Sequence, residues 1–97
     1  MEVPENWAVI EFPNGLRKVY AGWRGGYASG DEWRLNSGIV NTEETDDYYD
    51  FSGASGSVYR CYKKAEGITG MYLNGILEGF LKTADAKIIN YGKTNDN

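Results

Sequence analysis

The chain is 97 residues long, with 10 basic and 14 acidic side chains and a net charge of −4. That balance argues against a general nucleic-acid coat and against a binder of anionic membranes, either of which would draw the composition basic. There is no histidine and only one cysteine, which removes Ser-His and Cys-His nucleophile pairs, an intrachain disulfide and any multi-cysteine zinc site.

Residues 7–12 form an apolar run broken only by Glu11 and closed by Pro13-Asn14-Gly15. Asn-Gly is a strong hairpin signal because both residues tolerate positive φ. Residues 16–23 then return as a second strand, with Val19, Ala21 and Trp23 on one face and Lys18 and Tyr20 on the other. A glycine-rich connection spans 24–31. Trp33, Leu35 and Ile39 alternate along a third strand, with Ser37-Gly38 as a bulge. After an acidic stretch, Tyr49 and Phe51 share one face of a fourth strand, and Gly53-Ala54-Ser55-Gly56 makes the next turn. The fifth strand, over 57–63, sets Tyr59 and Cys61 on one face and Val58, Arg60 and Tyr62 on the other.

The period changes near Thr69. Leu73, Ile76, Leu77, Phe80, Leu81 and Ala84 recur at helical spacing and make one apolar stripe. Gly75 and Gly79 lie inside it, at a cost of about 1 kcal/mol each relative to Ala, and read as points where the helix sits close on a sheet, with flexibility as the plainer alternative. Residues 87–91 supply one more short strand, and the polar tail 92–97 frays. The expected architecture is α+β: one small antiparallel sheet of about five strands, packed on one face by a single C-terminal helix. One domain over 1–97 is expected at this length, with a small core. The N-terminal residues have no basic n-region or apolar h-region, and no run reaches the ~18–20 apolar residues of a membrane span, so a cytoplasmic protein without a membrane partner is expected.

Charge is concentrated. Residues 31–50 carry Asp31, Glu32, Glu43, Glu44, Asp46, Asp47 and Asp50 against Arg34 alone, a net of −6, whereas 51–97 are net +2. In an extended 43–50 segment, Glu44, Asp46 and Asp50 point the same way, with neighbours two apart separated by about 6.7 Å. Such a row resembles a phosphate backbone and attracts a Lys/Arg-lined channel in a salt-dependent way. Tyr48 and Tyr49, at its centre, are suited to anchor an interface. The plainer reading of the same stretch is a solvated acidic loop.

Other chemistries find less support. The acidic run lacks the residue order of an EF-hand loop, so no metal is expected. No cofactor motif is present, because Gly22-Trp23-Arg24-Gly25-Gly26 has neither the Rossmann order nor the P-loop lysine. Cys61 sits where a buried, inert thiol is usual, and no catalytic residue is assigned. Arg17, Lys18, Tyr20, Trp23, Arg24 and Tyr27, and again Tyr59, Arg60, Tyr62, Lys63 and Lys64, interleave bases with aromatics. On an exposed sheet face this is the composition of a single-stranded nucleic-acid platform, and it supports an alternative reading as an accessory or antitoxin-like domain.

In size, tyrosine-rich character and the acidic residues Asp31-Glu32 and Glu43-Glu44-Thr45-Asp46-Asp47-Tyr48-Tyr49-Asp50, the chain resembles small phage-borne anti-CRISPR proteins. It is similar in particular to the type I-F inhibitors that act as double-stranded DNA mimics on the Csy surveillance complex. The resemblance implies a non-enzymatic inhibitor in the bacterial host cell. Its acidic face would dock where target DNA first binds, on the Cas5 and Cas8 subunits of the crRNA-loaded complex, without binding DNA itself. It also implies that Lys63, Lys64, Lys82, Lys87 and Lys93 face away from the partner, since mingled lysines would cancel the potential.

Overall fold

In the computed structural model, which describes residues 1–25 and 30–92, seven strands and one helix follow in order. They are β1 (Asn6–Glu11), β2 (Arg17–Trp23), β3 (Glu32–Leu35), β4 (Ile39–Glu44), β5 (Tyr48–Gly53), β6 (Val58–Tyr62), α1 (Met71–Thr83) and β7 (Lys87–Ile89). The class is α+β with a helix packed on a sheet, but there are two antiparallel sheets rather than one: β3-β2-β1-β7 and β4-β5-β6. The reason lies in β1. Trp7, Ala8, Val9 and Ile10 are all buried, so this strand needs cover on both faces, which one sheet with one helix cannot give.

The register makes the four-stranded sheet the middle layer. Trp7 pairs with Ala21 and Val9 with Val19, and all four face Tyr49, Phe51, Tyr59 and Cys61 of the three-stranded sheet. On the opposite face, Ile10 and Tyr20 pack with Leu77 and Ala86, flanked by Ile76, Phe80 and Leu81. Trp7 makes edge-to-face contacts with Tyr49 and Phe51 at centroid distances of 6.0 and 5.7 Å, and its Nε1–H donates to Tyr62 O at 2.8 Å. Aromatic pairs of this kind contribute about 0.5–1.5 kcal/mol each beyond their buried area.

The continuous third strand expected over Trp33, Leu35 and Ile39 is divided between the two sheets. Asn36 ends β3: its N–H donates to Val19 O at 3.1 Å, and its Oδ1 accepts Val19 N–H at 2.8 Å, taking the place of a ladder bond. Gly38, at φ 127, then turns the chain into the second sheet. Ser37-Gly38 is thus a crossover, and the bulge falls at Val40. Strands β5 and β6 alternate as expected, with Tyr49, Phe51, Tyr59 and Cys61 inward.

Helix α1 buries Leu73 and Leu77, but Gly75 and Gly79 face open space rather than the sheet. The close approach is made by Gly22 on β2, where a Cβ would lie 2.8 Å from both Asn6 Oδ1 and Leu73 Cδ1. Beyond β7, the chain is clasped by the buried Glu66 carboxylate, which accepts the N–H groups of Tyr91 and Gly92 at 2.8 Å each. Tyr91 then lays its ring against Tyr49 and Phe51. Residues 26–29, including Tyr27, and the tail 93–97, including Lys93, lie outside the described residues.

Tyr20 is wholly buried and its hydroxyl donates to Leu73 O at 2.7 Å. Burial pushes its pKa up from 10.0 to about 12, and raises Tyr49 and Tyr59 in the same direction. The folded protein therefore keeps a proton that the unfolded chain releases above about pH 10. The tyrosine contribution should be constant from neutral pH to about pH 10 and then fall between about pH 10 and 12, as urea midpoints across this range would show. Tyr20→Phe should flatten part of the fall, and an equally steep loss in that variant would contradict the assignment.

Candidate functional site

The acidic stretch does not run straight. Thr45 folds it into a hairpin: its N–H donates to Tyr48 O at 2.9 Å, and its Oγ1 accepts Asp47 N–H at 3.2 Å and Tyr48 N–H at 3.1 Å. A hydroxyl satisfying the turn's own amides allows a tight two-residue tip, Asp46-Asp47, with positive φ at neither residue. Glu43 then lies opposite Asp50 and Glu44 opposite Tyr49. Because side chains alternate, Glu44 and Asp50 project from opposite faces, and the expected row of Glu44, Asp46 and Asp50 does not form.

The outer face of the small sheet carries a packed aromatic-cationic stack. Tyr48 meets Tyr62 edge to face with centroids 5.4 Å apart, and the Arg60 guanidinium lies 4.0 Å from the Tyr48 ring centre. Arg60 Nε and Nη2 each donate to Asp50 at 2.9 Å, a bidentate pair that fixes the guanidinium and raises its pKa. Tyr49, expected with Tyr48 to anchor an interface, is instead 6% exposed and belongs to the inter-sheet core, because its strand places it on the inward face.

Bases mingle with the acids. Lys63 Nζ donates to Glu44 at 2.7 Å and sits 5.2 Å from the Tyr49 ring centre, and the Glu44 bond raises its pKa. Asp46 and Asp47 share a cleft of about 480 Å³ with Tyr62, Lys63 and Lys64. Lys63 and Lys64 thus lie beside the hairpin rather than away from it, brought there by the 3₁₀ turn Lys63–Ala65 that follows β6 directly. Among the described residues, Glu43, Asp46 and Asp47 have no ion-pair partner within 4 Å, whereas Glu44 and Asp50 do.

Asp31 and Glu32 are placed in the other sheet, at edge strand β3. Asp31 lies 3.9 Å from Arg24 and accepts Gly25 N–H at 3.3 Å. Glu32 lines a small hollow with Glu2, Trp23 and Arg34. No hydrogen bond, ion pair or cleft among the described residues joins these two acids to the hairpin.

The interleaved basic-aromatic residues do not form one exposed platform. Tyr20 and Tyr59 are core residues, Arg34 lies over Trp23 at 5.6 Å, and Arg60 is held by Asp50. Cys61 is fully buried, which pushes its thiol pKa up. Among the described residues, no group of three metal-ligating side chains is assembled and no helix is long and apolar enough to cross a membrane. Sequence reasoning missed Thr45 as the fold point; the signal was a threonine directly ahead of Asp-Asp, a pattern that caps turns without glycine.

Comparison with protein families, with curated proteins and with solved structures found no match to this chain.

Replacing Thr45 with Val should loosen the tip without unfolding the protein. The freed amides can bond to water, so the loss of stability should be about 0.5–1 kcal/mol. Amide exchange at Asp47 and Tyr48 should accelerate by at least about threefold while β1 amides keep their protection. Unchanged exchange at the tip would show that the hydroxyl does not hold it.

Proposed function

We propose that the chain is a non-enzymatic, stoichiometric inhibitor that uses the β4–β5 hairpin and the adjoining sheet face to occupy a Lys/Arg-lined nucleic-acid site on a protein partner. The observation that carries this reading is the pairing of features at one place. Glu43, Asp46 and Asp47 project without ion-pair partners among the described residues, beside the fixed Tyr48–Arg60–Tyr62 stack. Unpaired carboxylates steer a basic partner and set register, and a rigid tyrosine–arginine cluster is the usual composition of a binding hot spot. With Glu44 and Asp50 neutralised in place, and Lys63 and Lys64 beside Asp46 and Asp47 weakening the field of the tip, the hairpin imitates a few phosphates at contact range rather than a length of duplex.

The partner we propose is the type I-F CRISPR–Cas surveillance complex in the cytoplasm of a bacterial host, engaged on its Cas5 and Cas8 side where target DNA enters. Its basic groove offers the charge this tip complements. No cofactor and no turnover enter the mechanism: bound protein excludes DNA by occupancy.

The combined variant Glu43→Ala, Asp46→Ala, Asp47→Ala removes the unpaired charges and leaves the Asp50–Arg60 and Glu44–Lys63 pairs intact. Exposed pairs contribute about 0–1 kcal/mol each, so affinity for the purified complex should fall by about 10- to 100-fold, with a shallower dependence on salt. The melting temperature should stay close to that of the parent. Unchanged affinity would remove the hairpin tip from the interface.

A further inference from the structure

The three-stranded sheet has one closed edge and one open edge. At β6, Glu2 N–H donates to Val58 O at 2.9 Å and Glu2 O accepts Arg60 N–H at 2.8 Å, a parallel bridge that covers the edge. At the other end of the sheet, β4 is terminal and exposed from Val40 to Glu44. Among the described residues, no backbone hydrogen bond outside the ladder reaches 40–44.

The register tells which groups face outward. Thr45 and Tyr48 close the turn as a hydrogen-bonded pair, so antiparallel alternation makes Glu43 and Asp50 the next bonded pair. The N–H and C=O groups of Thr42 and Glu44 therefore point away from β5. The Val40 bulge ends the regular edge on one side and the hairpin tip ends it on the other. What remains is a short, straight edge over 42–44 with four unpaired backbone groups.

Charge decides the occupant. Glu43 on the outer face and Asp46 and Asp47 at the tip flank this edge and lack ion-pair partners among the described residues. A second copy of the chain laid along β4 would bring another Glu43 and Glu44 against the first pair, and each copy carries a net charge of −4. An extended segment bearing lysine or arginine opposite Glu43 meets no such penalty. We infer that β4 takes up an extended, basic segment of a protein partner as an added fourth strand, with main-chain bonds at Thr42 and Glu44 and ionic contacts to Glu43. This inference rests on the proposal that the hairpin is the working surface and adds the form the bound segment takes.

The test uses a probe that does not depend on the identity of the partner. A short synthetic peptide alternating lysine and valine is titrated into the isotope-labelled 97-residue protein, alongside the same peptide with every backbone nitrogen methylated, so that neither of its edges can pair. The two share charge, but only the first can extend the sheet. The unmethylated peptide should shift and protect the Thr42 and Glu44 amides and bind about tenfold or more tightly than its methylated counterpart, the scale of one or two main-chain bonds. Thr42→Pro should abolish that preference while Thr42→Val keeps it. Proline on an outward-facing edge position is compatible with the strand, and an unchanged melting temperature would establish that both variants fold.

Equal binding of the two peptides would overturn strand addition while leaving an electrostatic hairpin site standing. A free protein that already protects the Thr42 amide and sediments as a dimer would overturn the choice of occupant. Loss of binding to the surveillance complex bears on the proposed function and leaves the peptide result unaffected.

Discussion

The indole of Trp7 joins the two sheets at their shared core. It is fully buried between the two sheets, meets Tyr49 and Phe51 edge to face, and sends its one polar group to the carbonyl of Tyr62. Its own carbonyl accepts Gly67 N–H at 2.7 Å, so the strand that fills the core also anchors the segment leaving β6. A wholly buried indole must find a partner for its N–H, and here the partner is the residue just before Lys63 and Lys64. The position of the bases beside the acidic hairpin is therefore a consequence of core packing.

That consequence shapes the surface chemistry. A chain with seven acids among residues 31–50 suggests a bare anionic strip. The fold instead answers Asp50 with Arg60 and Glu44 with Lys63, and sends Asp31 and Glu32 to another sheet. Each pairing removes a charge from the long-range field and adds rigidity to what remains. The result is a small patch with Glu43, Asp46 and Asp47 at its edge and a tyrosine–arginine stack at its centre. Such a patch favours one docking geometry over general attraction to any cation, which suits the proposed inhibitor.

Local structure was largely legible in the sequence, and long-range structure was not. The inward faces of β5 and β6 and the stripe of α1 follow from periods of two and 3.6, which any core imposes on its own strands and helices, and the turn at Asn14-Gly15 follows from the φ freedom of its glycine. The division into two sheets turned on Asn36 replacing a ladder bond and Gly38 reversing the chain, and neither alters the alternation of Trp33, Leu35 and Ile39. One signal was available in the sequence: four consecutive apolar residues in β1, Trp7 to Ile10, require cover on both sides, and one helix can cover only one. Of the site, the acidic residues were visible but their directions were not, because Thr45 makes a turn without the glycine or asparagine that usually marks one. Which base meets which acid depends on strand register, which composition does not encode.

In the proposed function, the acidic hairpin occupies a site where nucleic acid would otherwise bind. The most direct measurement is competition: the protein is bound to a purified type I-F surveillance complex, and target duplex is titrated in at low and at raised salt. Mutual exclusion, with the duplex and the protein each displacing the other and the protein weakening as salt rises, is the predicted result. A ternary complex in which duplex and protein bind together, or binding indifferent to salt, would contradict it.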